Sequence, residues 1–152
     1  MVRKTVGLSV VVAGCALIFS GGLASADDAP LAPVPAEYAN KHMPAGGWTD
    51  AKAIEAGQKI YLGDAVNDVN CASCHGKDGK PVKKGARDLR DPKNTSRYSD
   101  SYWFWRVSEG IPKTKMKGNK GKLSDEQIWQ VIAYQHMFSH DGKPSDHSDY
   151  KP

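Results

Sequence analysis

The chain has 152 residues, 39% hydrophobic and 25% charged, with 15 glycines, 9 prolines and three cysteines. That is one domain of ordinary size plus processed segments, and it excludes a multi-span membrane protein, wholesale disorder and a multi-disulfide scaffold. The formal charge of +4 is mild, and glycine and proline in these numbers predict a fold rich in loop and turn.

The first 26 residues read as a secretory signal. Arg3 and Lys4 precede an apolar run from Val6 to about Ser20, and small residues lead to Ala24-Ser25-Ala26. A basic end, an apolar middle and an A-x-A site are its three parts. Cleavage after Ala26 leaves 126 residues and a net charge of +2. A retained anchor is the alternative, but the run falls short of the ~20 apolar residues of a span. Val12-Ala13-Gly14-Cys15 also resembles a lipobox, which would leave a lipid on Cys15; the apolar run continuing past Cys15 speaks against it.

Residues 27–49 are rich in Ala, Pro and Gly and read as an extended leader. Residues 50–138 hold the periodic segments, and residues 139–152 form a polar tail expected to be loose. Charge is unevenly spread. Residues 77–122 carry fourteen basic and five acidic residues, a local net of +9, whereas both flanks are acidic. Such a field suits docking of an acidic protein partner. Nucleic acid is not expected, because the chain is read as exported and has no recognisable binding motif.

Three helices are predicted. The first spans Ala51 to Leu62, with Asp50 as N-cap and Gly63 as stop, and places Ile54, Gly57 and Tyr61 on one face. The second spans Asp100 to Glu109 between Ser99 and Gly110, with Tyr102, Trp103, Phe104 and Trp105 in succession. The third opens with the capping box Ser124-Asp125-Glu126-Gln127 and ends near Phe138, burying Ile128, Trp129, Ile132 and Ala133. No segment alternates as a strand should, so the expected fold class is all-α: three main helices and long loops.

The decisive motif is Cys71-Ala72-Ser73-Cys74-His75. Two thiols three residues apart on a helical turn can each add across a haem vinyl group, and the next histidine then faces the iron as proximal ligand. A redox disulfide would sit near a βαβ pattern, which is absent. A structural zinc site wants four ligands, and there is no second Cys pair. One covalent haem c is therefore expected, held by Cys71, Cys74 and His75. The distal candidates are Met43, Met116, Met137, His42, His136, His140 and His147. Met116, in the loop between the second and third helices, is the assignment on position, because a loop methionine can swing its thioether onto the distal face. Met43 and His42 are its competitors. Met137 is expected to fill a packing gap, and His140 and His147 to be exposed.

From Asp50 to Phe138 the chain resembles the class I monohaem c-type cytochromes. The residues that carry the resemblance are Gly57 and Tyr61, the C-x-x-C-H motif, Gly76-Lys77-Asp78-Gly79 and Arg87-Asp88-Leu89. With them go Ser108-Glu109-Gly110, Thr114-Lys115-Met116, and Leu123 to Trp129 leading to Ala133-Tyr134. The resemblance implies that the first and last helices cross, with Gly57 and Tyr61 against the Trp129–Tyr134 stretch. It also supports Met116 as distal ligand. Two departures stand out. Met116 is followed by Lys117 where the family often has proline. Ala86 stands near where the family often has the proline whose carbonyl orients the proximal histidine, so the pattern does not name that carbonyl here.

The aromatic helix and the Trp129–Tyr134 run are similar to cytochromes that accompany bacterial membrane respiratory complexes. The implied function is one-electron transfer between exported or membrane redox partners, with Tyr102, Trp103, Phe104 and Trp105 as core packing or haem-pocket walls rather than electron relays. Lys113, Lys115, Lys117, Lys120 and Lys122 would surround the haem edge, and the expected location is periplasmic. The alternatives are a fixed haem subunit of a membrane redox complex and a haem enzyme or sensor with an open distal site.

Overall fold

Five helices carry the fold in the computed structural model, which describes residues 30–147. The signal and the Cys15 lipid site lie outside the described residues. In order, the helices are α1 (Ala51–Leu62), α2 (Ala72–His75), α3 (Pro92–Thr95), α4 (Asp100–Glu109) and α5 (Asp125–His136). Short 3-10 turns span Ala36–Tyr38 and Met137–His140. Among the described residues there is no strand, only isolated bridges between Gly110 and Lys117 and between Lys120 and Leu123. No described helix is long and apolar enough to cross a membrane.

The three long helices start and stop where their capping chemistry dictates. The Asp50 carboxylate accepts from the Lys52 and Ala53 amides, and Gly63 ends α1 in the left-handed region at φ +89°. Ser99 accepts from Tyr102 N at the head of α4. At α5, Ser124 and Gln127 exchange side-chain-to-backbone hydrogen bonds in a complete capping box, satisfying two of the amides that a helix start leaves orphaned. The α5 helix reaches His136 and tightens into the 3-10 turn, one turn past its apolar stripe.

Helices α1 and α5 pack across each other, with Gly57 at the crossing. A Cβ built there would lie 1.9 Å from Gln130 O and 2.4 Å from Gln130 C, so only glycine permits this approach. Around it, Ile54, Ile60 and Tyr61 meet Val131, Ile132 and Tyr134 in one buried cluster. The Tyr61 and Tyr134 rings stand edge to face at 5.4 Å, a favoured aromatic arrangement. The buried side of α5 is wider than the four residues read from its spacing. Every residue from Val131 to His136 is buried, because the chain on either side of the domain covers the helix's far face.

That cover comes from both flanks of the helical region. Tyr38 and Trp48 are 5% and 8% exposed and belong to the core. Trp48 lies against the rings of His136 and His147, at 4.6 and 4.8 Å. His147 donates from Nε2 to Tyr98 O at 2.6 Å, and its Nδ1 lies 3.0 Å from His136 Nε2. His140 donates from Nδ1 to His136 O at 2.9 Å. The exposure expected for His140 and His147 is therefore corrected: both are half-buried. An imidazole counts as polar in composition, but its faces stack on aromatics while its nitrogens reach backbone carbonyls.

Candidate haem site

The C-x-x-C-H motif folds into one tight helical turn. The Cys74 and His75 amides donate to Cys71 O at 3.2 and 3.0 Å, and Gly76 N donates to Ala72 O at 2.9 Å. Asn70 fastens the start of the turn: its Oδ1 accepts from Ser73 N at 2.8 Å, and its carbonyl accepts from Ser73 Oγ at 2.7 Å. Cys71 and Cys74 are free thiols, both half-buried. Burial pushes the Cys71 thiol up to about 11, so it stays protonated at neutral pH and is not poised as a reactive thiolate.

His75 is aimed by backbone. Its Nδ1 donates to Arg87 O at 3.0 Å. The carbonyl that the family pattern left unnamed is thus that of Arg87, one residue past Ala86. The segment that presents it is stiff. Leu89 is buried and its amide donates to Gly79 O at 3.0 Å. Asp88 accepts from Arg90 N and Nε at 3.0 Å each and from Nη2 at 2.7 Å. Burial lowers the pKa of His75, partly offset by the Arg87 carbonyl. The ring is thereby held neutral with Nδ1 occupied, which leaves the Nε2 lone pair for a metal. The turn is closed by Gly76 at φ +76°, where a Cβ would lie 2.0 Å from Lys80 O. Tyr61 OH donates to Gly76 O at 2.7 Å, tying the motif to α1.

Met116 sits half-buried at the neck of a closed loop. Its carbonyl accepts from Ile111 N at 3.0 Å, and Thr114 N donates to Ile111 O at 3.2 Å inside the loop. Thr114 Oγ1 accepts from Met116 N at 3.1 Å. Beyond Met116, Asn119 fastens the loop to the end of α4. Its amide donates to Ser108 O at 2.8 Å, and its Nδ2 donates to Val107 O at 2.9 Å. The other distal candidates are placed elsewhere. Met43 turns its sulfur onto Gly47, whose Cβ would lie 2.7 Å from Sδ, and His42 is exposed. Met137 packs against the core. The imidazoles of His136, His140 and His147 are engaged with one another and with Trp48.

Helix α4 divides its aromatics between two tasks. Phe104 packs on Trp129 at 4.7 Å and lies 6.2 Å from Tyr38, so it is core packing. Trp103 is 4% exposed and meets Tyr98 edge to face at 5.1 Å. Tyr102 and Trp105 are half-buried, and the Arg106 guanidinium lies 3.7 Å over the Trp105 ring. Trp103 Nε1 and Arg106 Nε are buried donors with no hydrogen-bond partner among the described residues. Buried donors left orphaned inside a fold call for a partner, and the carboxylate substituents of a porphyrin are of that chemistry. The sequence reading gives Trp103 only packing and wall roles and gives Arg106 none; an Arg three residues after a Trp on one helix is the available signal. Two thiols three residues apart on one helical turn, a neutral imidazole with one nitrogen free and two orphaned donors fit a covalent haem.

A family model described as cytochrome c oxidase, cbb3-type, subunit III matches residues 52–134. Among solved structures, the KustC0563 c-type cytochrome is 30% identical over 54% of this chain and 95% of its own, with a TM-score of 0.47. Cytochrome cL from Hyphomicrobium denitrificans is 25% identical over 59% of this chain, with a TM-score of 0.45, and the match spans 49% of that protein. Cytochrome cL from Methylophaga aminisulfidivorans is 19% identical over 74% of this chain and 69% of its own, with a TM-score of 0.50, a likeness of fold. No curated protein sequence matches. The family model spans more than half of the chain, and the all-α fold agrees with it: this protein belongs to the cbb3-type subunit III family of c-type cytochrome domains, which carry covalently bound haem c.

Proposed function

We propose that this chain is an exported carrier of single electrons, with haem c bound through Cys71 and Cys74, His75 as proximal ligand and Met116 as distal ligand. When bound, the haem supplies a one-electron ferric/ferrous couple. The rest is done by the chain. The Cys71 and Cys74 sulfurs would each hold one edge of the ring in a domain too small to bury it by packing alone. Arg87 O holds His75 in one tautomer and orientation. The Met116 thioether would fill the sixth position, favour the reduced state and raise the potential. Trp103, Val107 and Leu89, all nearly water-free, keep the surroundings apolar. Two observations support the reading: His75 is oriented and neutral, and the Met116 loop is fastened at both ends to α4.

Lys113, Lys115, Lys117, Lys120 and Lys122 are all exposed on and just after the Met116 loop. They support docking of a redox partner with an acidic face, beside the ligand through which the iron would be approached. The family description, which names an oxidase subunit, favours one second reading: a fixed haem subunit of a membrane respiratory complex. Native electrophoresis of soluble and membrane fractions, stained for covalent haem, separates the two. A small soluble band marks a carrier, and a large membrane-bound band marks a subunit. The distal ligand is tested by carbon monoxide, which the ferrous holoprotein should leave unbound and its Met116→Ala variant should take up.

A further inference from the structure

We infer that Tyr38, which lies outside the family-matched region of residues 52–134, is a positioning residue for the Met116 loop. The inference rests on the distal role proposed for Met116. Residues 36–43 run along α4 and are fastened there. Ser101 Oγ lies 3.0 Å from both Ala39 O and Lys41 O, and Asp100 Oδ2 accepts from Met43 N at 2.9 Å. This lays the Tyr38 ring in the core and brings its hydroxyl to both stems of the distal loop.

The loop leaves α4 after Glu109 and is fastened again at Asn119, next to Lys120. Tyr38 OH donates to the Glu109 carboxylate and accepts from Lys120 Nζ at 3.1 Å. Lys120 Nζ also donates to Glu109 Oε1 at 2.8 Å. One phenol therefore bridges the residue before the loop and the residue after it. A Glu–Lys pair on an exposed surface would be worth little alone, since both side chains must be immobilised. Here the bridging group is buried and already anchored by the backbone around it. The loop stems are also joined by the Asn119 side chain on Val107 O and by the Asn119 and Lys120 amides on Ser108 O at 2.8 and 2.9 Å. A Cβ at Gly110 would lie 2.3 Å from Met116 O, and one at Gly118 would lie 2.5 Å from Ser108 O. To this backbone closure Tyr38 adds a side-chain bridge between the two stems.

The test is displacement of the distal ligand by imidazole in the ferric holoprotein, followed by absorption spectroscopy. Tyr38→Phe keeps the ring and removes only the hydroxyl. Its loss removes two hydrogen bonds to charged groups, the one to Glu109 and the one from Lys120; with both partners partly exposed, the loss is worth about tenfold in an equilibrium, so Tyr38→Phe should bind imidazole roughly tenfold more tightly than the unaltered protein. Ile54→Val, a core truncation on α1, serves as the comparator that lowers global stability by about the same amount; its imidazole affinity should be unchanged. An unchanged affinity in Tyr38→Phe overturns the inference, as does an equal shift in both variants, which would mean general softening. Met116→Ala separates the layers. If its ferric spectrum matches the unaltered protein, the distal assignment itself fails. If it differs while Tyr38→Phe stays silent, only the role of Tyr38 fails.

Discussion

Replacing Gly57 by alanine should cost this protein about 2 kcal/mol of stability. The new methyl carbon would start 1.9 Å from Gln130 O, 2.4 Å from Gln130 C and 3.0 Å from Val131 N. All three are backbone atoms of α5, so no side chain can swing away to make room. Restoring 3.4 Å, where ordinary contact begins, needs about 1.5 Å of separation between α1 and α5 at their crossing. That shift would loosen Tyr61, which is fully buried, from Tyr134 and pull at the Val131 and Ile132 packing. Overpacking of this kind costs about 1–3 kcal/mol, and a backbone obstacle places it at the upper end. Against it stands a gain of about 1 kcal/mol from replacing glycine inside a helix. Guanidinium unfolding of the holoprotein, followed by helical circular dichroism, should show a lower midpoint with an unchanged slope. A variant as stable as the parent, or more stable, would refute the crossing.

Two further outcomes are expected. Lys120, and after it Tyr38, hold the Glu109 carboxyl below its ordinary 4.5, so its contribution to stability is present above about pH 4.5 and lost as pH falls through the depressed value. Glu109→Gln should therefore flatten the acid limb of the stability profile in urea unfolding between pH 6 and 3; equal limbs would contradict the pairing. The rate of electron exchange with an acidic redox protein should fall as ionic strength rises, and Lys115→Glu should slow it at low salt. A rate indifferent to both would remove the lysine-rich loop from docking.

Local chemistry made much of this fold readable. Asp50, Ser99 and Ser124 announce helix starts because an N-cap acts over two or three residues, and the bonds they make are the ones their spacing predicts. Gly57 and Tyr61 were legible as a helix face, and the resemblance to c-type cytochromes supplied the helix they meet. What escaped was made by distant parts of the chain. Tyr38 lies 71 residues from Glu109 and His147 lies 49 from Tyr98, and no periodicity reaches so far. Proline and alanine between residues 29 and 35 marked the leader as extended, but its two large aromatics, Tyr38 and Trp48, decide where it packs. The carbonyl that aims His75 was hidden for a different reason. Any residue can supply a backbone oxygen, so the identity of Arg87 carries no signal. Its position follows from the Asp88–Arg90 and Leu89–Gly79 contacts that fix the segment.

The central claim is that the chain holds haem c with both axial positions taken by its own side chains, His75 and Met116. The most direct test is to reduce the holoprotein, expose it to carbon monoxide and record its spectrum, beside the Met116→Ala variant. The predicted result is no change in the unaltered protein and prompt carbon monoxide binding in the variant. Prompt binding by the unaltered protein would mean an open distal site and contradict the electron-carrier account.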